Sequence, residues 1–513
     1  MGLFDESHSS IRLEQFYGIE LDDFAHEMAI LSLWLVEHQM NMVFETEFGY
    51  TAPSLPLKPS GKVVSGNAGL VDWELACTAS DTDEVYVLGN PPYLGSRRQN
   101  EDQKNDLKLV FNKDYKSLDY ISIWFKKASD YINGNNAKAA FVSTNSICQG
   151  EQVALLWPKV IKNSVEIEFA YEGFKWQNSA KNNAAVIVVI IGLANKQSIT
   201  SKKIFRNGYD VTAKNITPYL SEGNICYVRS NKKQISNFPE MNFGNMPADG
   251  GKLILSREEM AEVVSSEPNL KSIIRPLISA KEFISNKERY CLWLKGFSEN
   301  DPFIHDSKIL RQRVGELKEI RLNSSRPKLA SIPHLFAQIT QPEGKDYILI
   351  PRHSSENRDY IPMGYFSSDN VAHDSCLIIG DAPIHLFSLL NSKLHMVWVK
   401  NIAGRIKTDY RYSKDMVYNN FPIPNLSQKN IEELSNAGME ILEAREVYPD
   451  KSLADLYKAK NMPIDLENAH NKLNELTNKI YGLQASDLDD ESKMFNVLLS
   501  LYTEIKNQGI KNA

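Results

Sequence analysis

Ala184 to Ile191 is an unbroken apolar run, with no polar residue alternating into it. A strand that can show no face to water must be covered on both sides, so helices are expected above and below its sheet. Neighbouring segments supply that architecture. "QFYGIEL", "KVVSGNAG", "EVYVLGN", "KAAFVSTNSI" and "VEIEFAYEG" read as strands. Between them, Asp22 and Asp23 open a helix with Phe24, Met28, Leu31, Leu35 and His38 on roughly one face. "DYISIWFKKASDYI" repeats the pattern with Ile121, Trp124, Phe125, Ala128 and Ile132. The βαβ rhythm predicts an α/β fold with a doubly wound sheet over residues 1–200.

The rhythm breaks beyond about Lys202. We expect a linker over 201–245, a mixed α+β domain over 246–425 and a helical region over 426–513 interrupted at Pro449 and Pro463. The whole chain carries a net charge of −6, yet Leu270 to Asn420 holds 22 Lys and Arg against 16 Asp and Glu. That asymmetry fits a basic, anion-facing domain on an acidic body. The five cysteines, Cys77, Cys148, Cys226, Cys291 and Cys376, are scattered without a CxxC pair. They read as free thiols in a reducing, cytoplasmic setting. The ten histidines show no metal spacing, and no bound metal is expected.

Chemistry is expected where the strand Val85–Gly89 ends in Asn90-Pro91-Pro92-Tyr93. The prolines fix two φ angles and remove two N–H donors. Asn90 then offers a side-chain carbonyl at the carboxyl end of a strand, where open α/β sheets bind ligands. Tyr93 offers a flat face for stacking. Together they make a slot for a planar molecule bearing an amino group. A strand-ending turn is the competing reading of the same four residues. Arg97 and Arg98 follow closely, either solvated or placed to meet phosphate.

In several separate blocks the sequence resembles the DNA methyltransferases of the MmeI-type restriction–modification family, and the likeness extends over nearly the whole chain. Asn90-Pro91-Pro92-Tyr93 is similar to the catalytic motif of amino-methylating enzymes that use S-adenosylmethionine. "FYGIELDD" resembles the cofactor strand whose terminal acid, here Glu20, binds ribose hydroxyls; a helix-capping acid is the alternative. "SGNAGLVDW" resembles the next cofactor strand, placing Asn67 and Ala68 near the cofactor adenine. "YEGFKWQNSAKNNAAVIVVIIGL" resembles a late motif whose aromatic residue, here Phe174 or Trp176, packs on a flipped target base. "NFGNMPADGGKLILS", "HMVWVKNIAGRIKTDYRYSKDMVYNNFPIPN" and the helical tail resemble the family's target-recognition and C-terminal regions.

The resemblance implies a class I S-adenosylmethionine-dependent methyltransferase sheet, incomplete at its N-terminus, acting on adenine N6 in double-stranded DNA. It also implies that Arg405, Lys407, Asp409 and Arg411 lie in the base-reading region. If that stretch is one extended strand, all four side chains share a face. Lys407 and Asp409 would then read a G·C pair, with Arg405 and Arg411 on phosphates. The family's glycine-rich loop has no counterpart in residues 1–84, where no GxG occurs. The expectation is therefore a chain that works with an N-terminal companion carrying that loop and a nuclease. An inactive DNA-binding fragment is the alternative.

Overall fold

The computed structural model describes residues 11–49, 62–80, 82–162, 164–176, 187–206, 208–406, 408–458 and 461–511. They form two compact units, one made of residues 1–148 and 152–227, the other of 149–151 and 228–513.

The first unit contains strands β1 (Gly18–Glu20), β2 (Val63–Ser65), β3 (Val85–Gly89), β4 (Ala137–Thr144), β5 (Val165–Lys175), β6 (Ile187–Asn195), β7 (Lys202–Arg206) and β8 (Tyr209–Ala213). Its helices include α1 (Asp23–Phe48), α2 (Trp73–Ala76), α3 (Glu101–Phe111), α4 (Ser122–Ile132) and α5 (Gly150–Val160). β1 and β2 pair in parallel as a separate two-stranded sheet. The other six form a mixed sheet in the order β3-β4-β6-β5-β7-β8. The described part of the unbroken apolar run lies in β6, inside this sheet, with Val188, Val189, Ile191 and Leu193 buried. Residues 184–186 of that run lie outside the described residues. The expected stripe on α4 and its N-cap is mostly in the core: Ile121, Phe125, Ala128 and Ile132 are buried, while Trp124 is half-buried.

Two surfaces of this unit are open among the described residues. β3 is an edge strand. Its Val85 N–H donates to Asn136 O, so strand alternation turns the backbone groups of Tyr86 and Leu88 to the outer side. Their side chains are 61% and 80% exposed. α1 forms where Asp22 and Asp23 predict it, and the Asp22 carboxylate caps it by accepting from Ala25 N. None of its 26 residues is buried. Phe24, Met28, Leu31 and Leu35 do line up, but they are exposed.

The second unit begins with two four-stranded sheets. One joins Ile254–Leu255, Tyr290–Leu292, Ile274–Ile278 and Val371–Ala372; the other joins Gly364–Phe366, Tyr347–Pro351, Cys376–Gly380 and Met241–Phe243. Arg321, on the helix Lys308–Leu322, is buried and donates to the carbonyls of Pro247, Ala248, Leu329, Ile332 and Leu335. These bonds let one guanidinium organise a loop-rich region with no carboxylate paired to it among the described residues. The C-terminal helices Gln428–Glu446, Ile464–Ile480 and Glu491–Lys511 follow. The helix Lys393–Ile402 is buried along most of its length, and its Trp398 packs against Phe421 and Phe495.

Candidate active site and nucleic-acid interface

β3 delivers the Asn-Pro-Pro-Tyr segment to the end of the sheet. Asn90 and Pro92 are exposed, Pro91 is buried and Tyr93 is half-buried. One proline thus anchors the turn while the amide faces outward. β3 runs parallel to β4, β4 antiparallel to β6, and β6 antiparallel to β5. The carboxyl ends of β3 and β5 therefore point to one end of the sheet; the strands lie three spacings or roughly 14 Å apart laterally, and β5 runs on past Ala170, which is level with Gly89. Phe174, at the end of β5, is partly exposed there and Trp176 is half-buried just beyond.

A register shift between Tyr171 and Phe174 marks an irregularity in β5, the kind of feature that re-aims side chains. It contains Gly173, where a Cβ would come within 2.9 Å of Ile187. Only glycine fits that approach without displacing its neighbour. The segment after Trp176, residues 177–186, lies outside the described residues.

The loop after Tyr93 is tied down by residues that spacing and composition do not reveal. Gln99 is buried, and its Nε2 donates to the carbonyls of Leu94 and Leu118, each at 2.9 Å. Tyr120 N–H donates to the same Leu94 carbonyl at 2.9 Å. Asp119 is buried beside the end of β4, with its carboxylate accepting from Ser146 and Thr144 and its backbone N–H donating to Gln152. Burial raises the Asp119 carboxyl above the usual range, partly offset by Ser146, Gln152 and Thr144.

The candidate cofactor residues surround β1 and β2. Glu20 ends β1 and accepts from the amides of Leu21 and Asp22 at 2.9 and 3.2 Å. Asn67 follows β2; its Oδ1 accepts from Gly69 N and its Nδ2 donates to Asp106. Tyr120 also donates to Asp106, at 2.6 Å. Burial, followed by that carboxylate, pushes the Tyr120 hydroxyl up to about 12. The Ala68 carbonyl accepts from Trp73 Nε1. Sequence reasoning misses Asp106 and Tyr120 because their partner Asn67 lies 39 and 53 positions away.

The stretch around Arg405 differs from its expected form. It is not one strand but a hairpin, Gly404–Ile406 against Asp409–Arg411. Cross-strand partners share a face. Arg405 pairs with Tyr410, whereas Ile406 pairs with Asp409 and Gly404 with Arg411. Arg405 therefore points away from Asp409 and Arg411, and the expectation of a common face is corrected. Its guanidinium lies 4.2 Å from the Tyr410 ring and donates to Thr408 O. Lys407 lies outside the described residues. Asp409 and Arg411 are exposed, and His353 pairs with Arg411 on a third strand. Burial lowers the His353 pKa, and Arg352 and Arg411 lower it further.

Comparison with known proteins matches three consecutive family models. Residues 2–206 match the MmeI DNA-methyltransferase domain, 222–425 the MmeI target recognition domain and 425–509 the MmeI C-terminal domain. DNA methyltransferase A of Bacillus subtilis (strain 168) is 43% identical over 97% of this chain. The chain spans 56% of that relative's length. The structure of the type IIL restriction–modification enzyme MmeI in complex with DNA is 36% identical, with a TM-score of 0.85. That match covers 97% of this chain and 67% of the solved one.

Proposed function

Since the chain belongs to the MmeI family of DNA methyltransferases, we propose that it transfers a methyl group from S-adenosylmethionine to adenine N6 in double-stranded DNA, as part of a cytoplasmic restriction–modification or phage-defence system. The observation that carries this reading is the placement of Asn90-Pro91-Pro92-Tyr93 at the carboxyl end of β3, with Phe174 and Trp176 at the same end of the sheet. We assign the class I doubly wound plan to residues 1–200, with β1 and β2 as its cofactor strands. The expected linker over 201–245 is narrower than its bounds, because β7 and β8 complete the first unit's sheet and Met241–Phe243 joins a sheet of the second unit; residues 246–425 act as the target-recognition domain and 426–513 as the helical C-terminal domain.

An adenine must leave the duplex stack to be methylated, at a cost of a few kcal/mol. Tyr93 stacks on the extruded base, and Phe174 or Trp176 contacts its edge or other face. Asn90 Oδ1 and the Pro91 carbonyl accept hydrogen bonds from the amino group. This frees the nitrogen lone pair and aims it, so positioning supplies much of the rate effect. The cofactor residues fit in part: Glu20 carries a carboxylate at a strand end suited to ribose hydroxyls, and Asn67 and Ala68 line the next turn. When bound, the cofactor supplies an electrophilic methyl group. Asn90→Ala should lower methyl incorporation on the order of a hundredfold while DNA affinity is nearly kept. Wild-type turnover by this variant would refute the mechanism.

On the recognition side, Lys407 and Asp409 read one G·C pair, Arg411 holds a phosphate and Arg405 stiffens the hairpin. Lys407→Glu with Asp409→Arg should turn that position to C·G, each good contact being worth roughly 1–3 kcal/mol. Methylome sequencing of cells carrying the variant reads the outcome, and an unchanged motif refutes the assignment.

A second reading is a DNA-binding protein without transfer activity, in which the edge of β3 and the surface of α1 stay exposed. A companion polypeptide bearing the glycine-rich loop and nuclease would cover those surfaces. Calorimetric titration with S-adenosylmethionine, without and with such a companion, separates the readings. Binding only with the companion supports a divided enzyme, and binding in neither case supports the second reading.

A further inference from the structure

The loop that carries Asn90 and Tyr93 is clasped by three consecutive residues. Leu118 lends its carbonyl to Gln99, Tyr120 gives its N–H to the Leu94 carbonyl, and Asp119 sits between them. Gln99 closes the clasp by donating to Leu94 and Leu118 together. The Leu94 carbonyl, one residue beyond Tyr93, thus receives two donors and has both lone pairs engaged. Asp119 approaches the same loop from the side. A Cβ placed on Gly95 would lie 3.5 Å from its Oδ1. Its carboxylate is held by the Ser146 and Thr144 hydroxyls and the Gln152 side chain, with no salt bridge among the described residues. A buried carboxylate with no cation beside it weakens a fold, and such groups cluster where function requires them.

We propose that Gln99 and Asp119 are positioning residues for methyl transfer, holding the Asn90–Tyr93 loop in its reactive geometry from beneath. This rests on the reading of that loop as the transfer site. Gln99 fixes where the chain goes after Tyr93. Asp119 places a carboxyl group beside a loop at which, on that reading, positive charge develops on the amino nitrogen during transfer.

The test compares Gln99→Leu, Gln99→Glu and Asp119→Asn in the full chain, with the companion present if transfer requires it. Amide hydrogen exchange, the thermal midpoint, and kcat and KM for DNA are measured for each. Gln99→Leu should raise exchange of the Leu94–Arg98 amides at least tenfold while β4 stays protected. Its kcat should fall at least tenfold with KM for DNA unchanged, and Gln99→Glu, which keeps the volume and at most one donor, should fall between. Asp119→Asn should lower kcat at least tenfold while its thermal midpoint stays level or rises, which a merely structural carboxylate would not give. Unchanged loop exchange in Gln99→Leu, or wild-type kcat with a lowered midpoint in Asp119→Asn, would overturn the proposal. Should the wild-type protein transfer no methyl group, the functional reading fails by itself. Exchange then decides the clasp: faster loop exchange in Gln99→Leu supports it, and unchanged exchange overturns it.

Discussion

α1 and the helix Lys393–Ile402 are both rich in apolar residues, and they have opposite fates. In the second, Leu394, Met396, Val397, Trp398, Val399 and Ile402 are all buried. In α1, 26 residues long, none is. A helix with apolar residues around most of its circumference belongs inside something. Lys393–Ile402 has found its surroundings within the described chain. The contrast teaches that apolar periodicity predicts which face of a helix seeks cover, and leaves open what provides it.

The comparison is most sharply tested by Trp398→Ala. Trp398 is fully buried and its Nε1 donates to Val417 O. The substitution should cost about 3–5 kcal/mol, measured by denaturant unfolding. A loss below about 1 kcal/mol would mean that this region is no better supported than α1.

Acid should act on the same region at the next level of effect. Burial pushes His395 and His470 down to about 3, so both stay neutral in the fold. Each shares a hydrogen bond with a tyrosine hydroxyl, Tyr412 and Tyr457 respectively. The unfolded chain takes up these protons near pH 6.5, so it binds more protons than the folded state below that point. The stabilisation is complete above about pH 6.5 and is lost as pH falls toward 3, at up to about 1.4 kcal/mol per pH unit for each histidine. Unfolding curves between pH 7 and 4 should show this slope, and His395→Phe should reduce it. A slope unchanged by His395→Phe would place the acid sensitivity elsewhere.

The smallest effect belongs to α1. Leu35→Gln keeps helix propensity and should change stability by less than about 0.5 kcal/mol. A loss above about 2 kcal/mol would show that the chain itself covers this face. Weakened binding of a companion by the same variant would identify the cover as external.

Much of this organisation is legible in the order of residues. The apolar strand Val85–Gly89, ending in an amide and two prolines, marks its own position at the sheet end because backbone constraints act locally. The hairpin at Arg405 does not announce itself. Between the paired residues Ile406 and Asp409 the sequence carries no Asn-Gly or Asp-Gly pair of the kind that signals a two-residue hairpin loop. Gln99, Asp106, Asp119 and Tyr120 are equally silent, because their partnerships cross from 5 to 53 positions of sequence and depend on how α3 and α4 pack.

The outer edge of β3 also bears on how this chain behaves as a material. Tyr86 and Leu88 present backbone groups without a strand partner among the described residues, and two large exposed side chains, on one short strand. Such an edge is a template for any extended polypeptide, including misfolded copies of the same protein. Net charge keeps molecules apart at long range, but the edge decides what happens once they touch. Yield and shelf life should therefore follow how promptly that edge is covered after synthesis, and a single charged residue at Leu88 should protect a preparation more than a change of buffer.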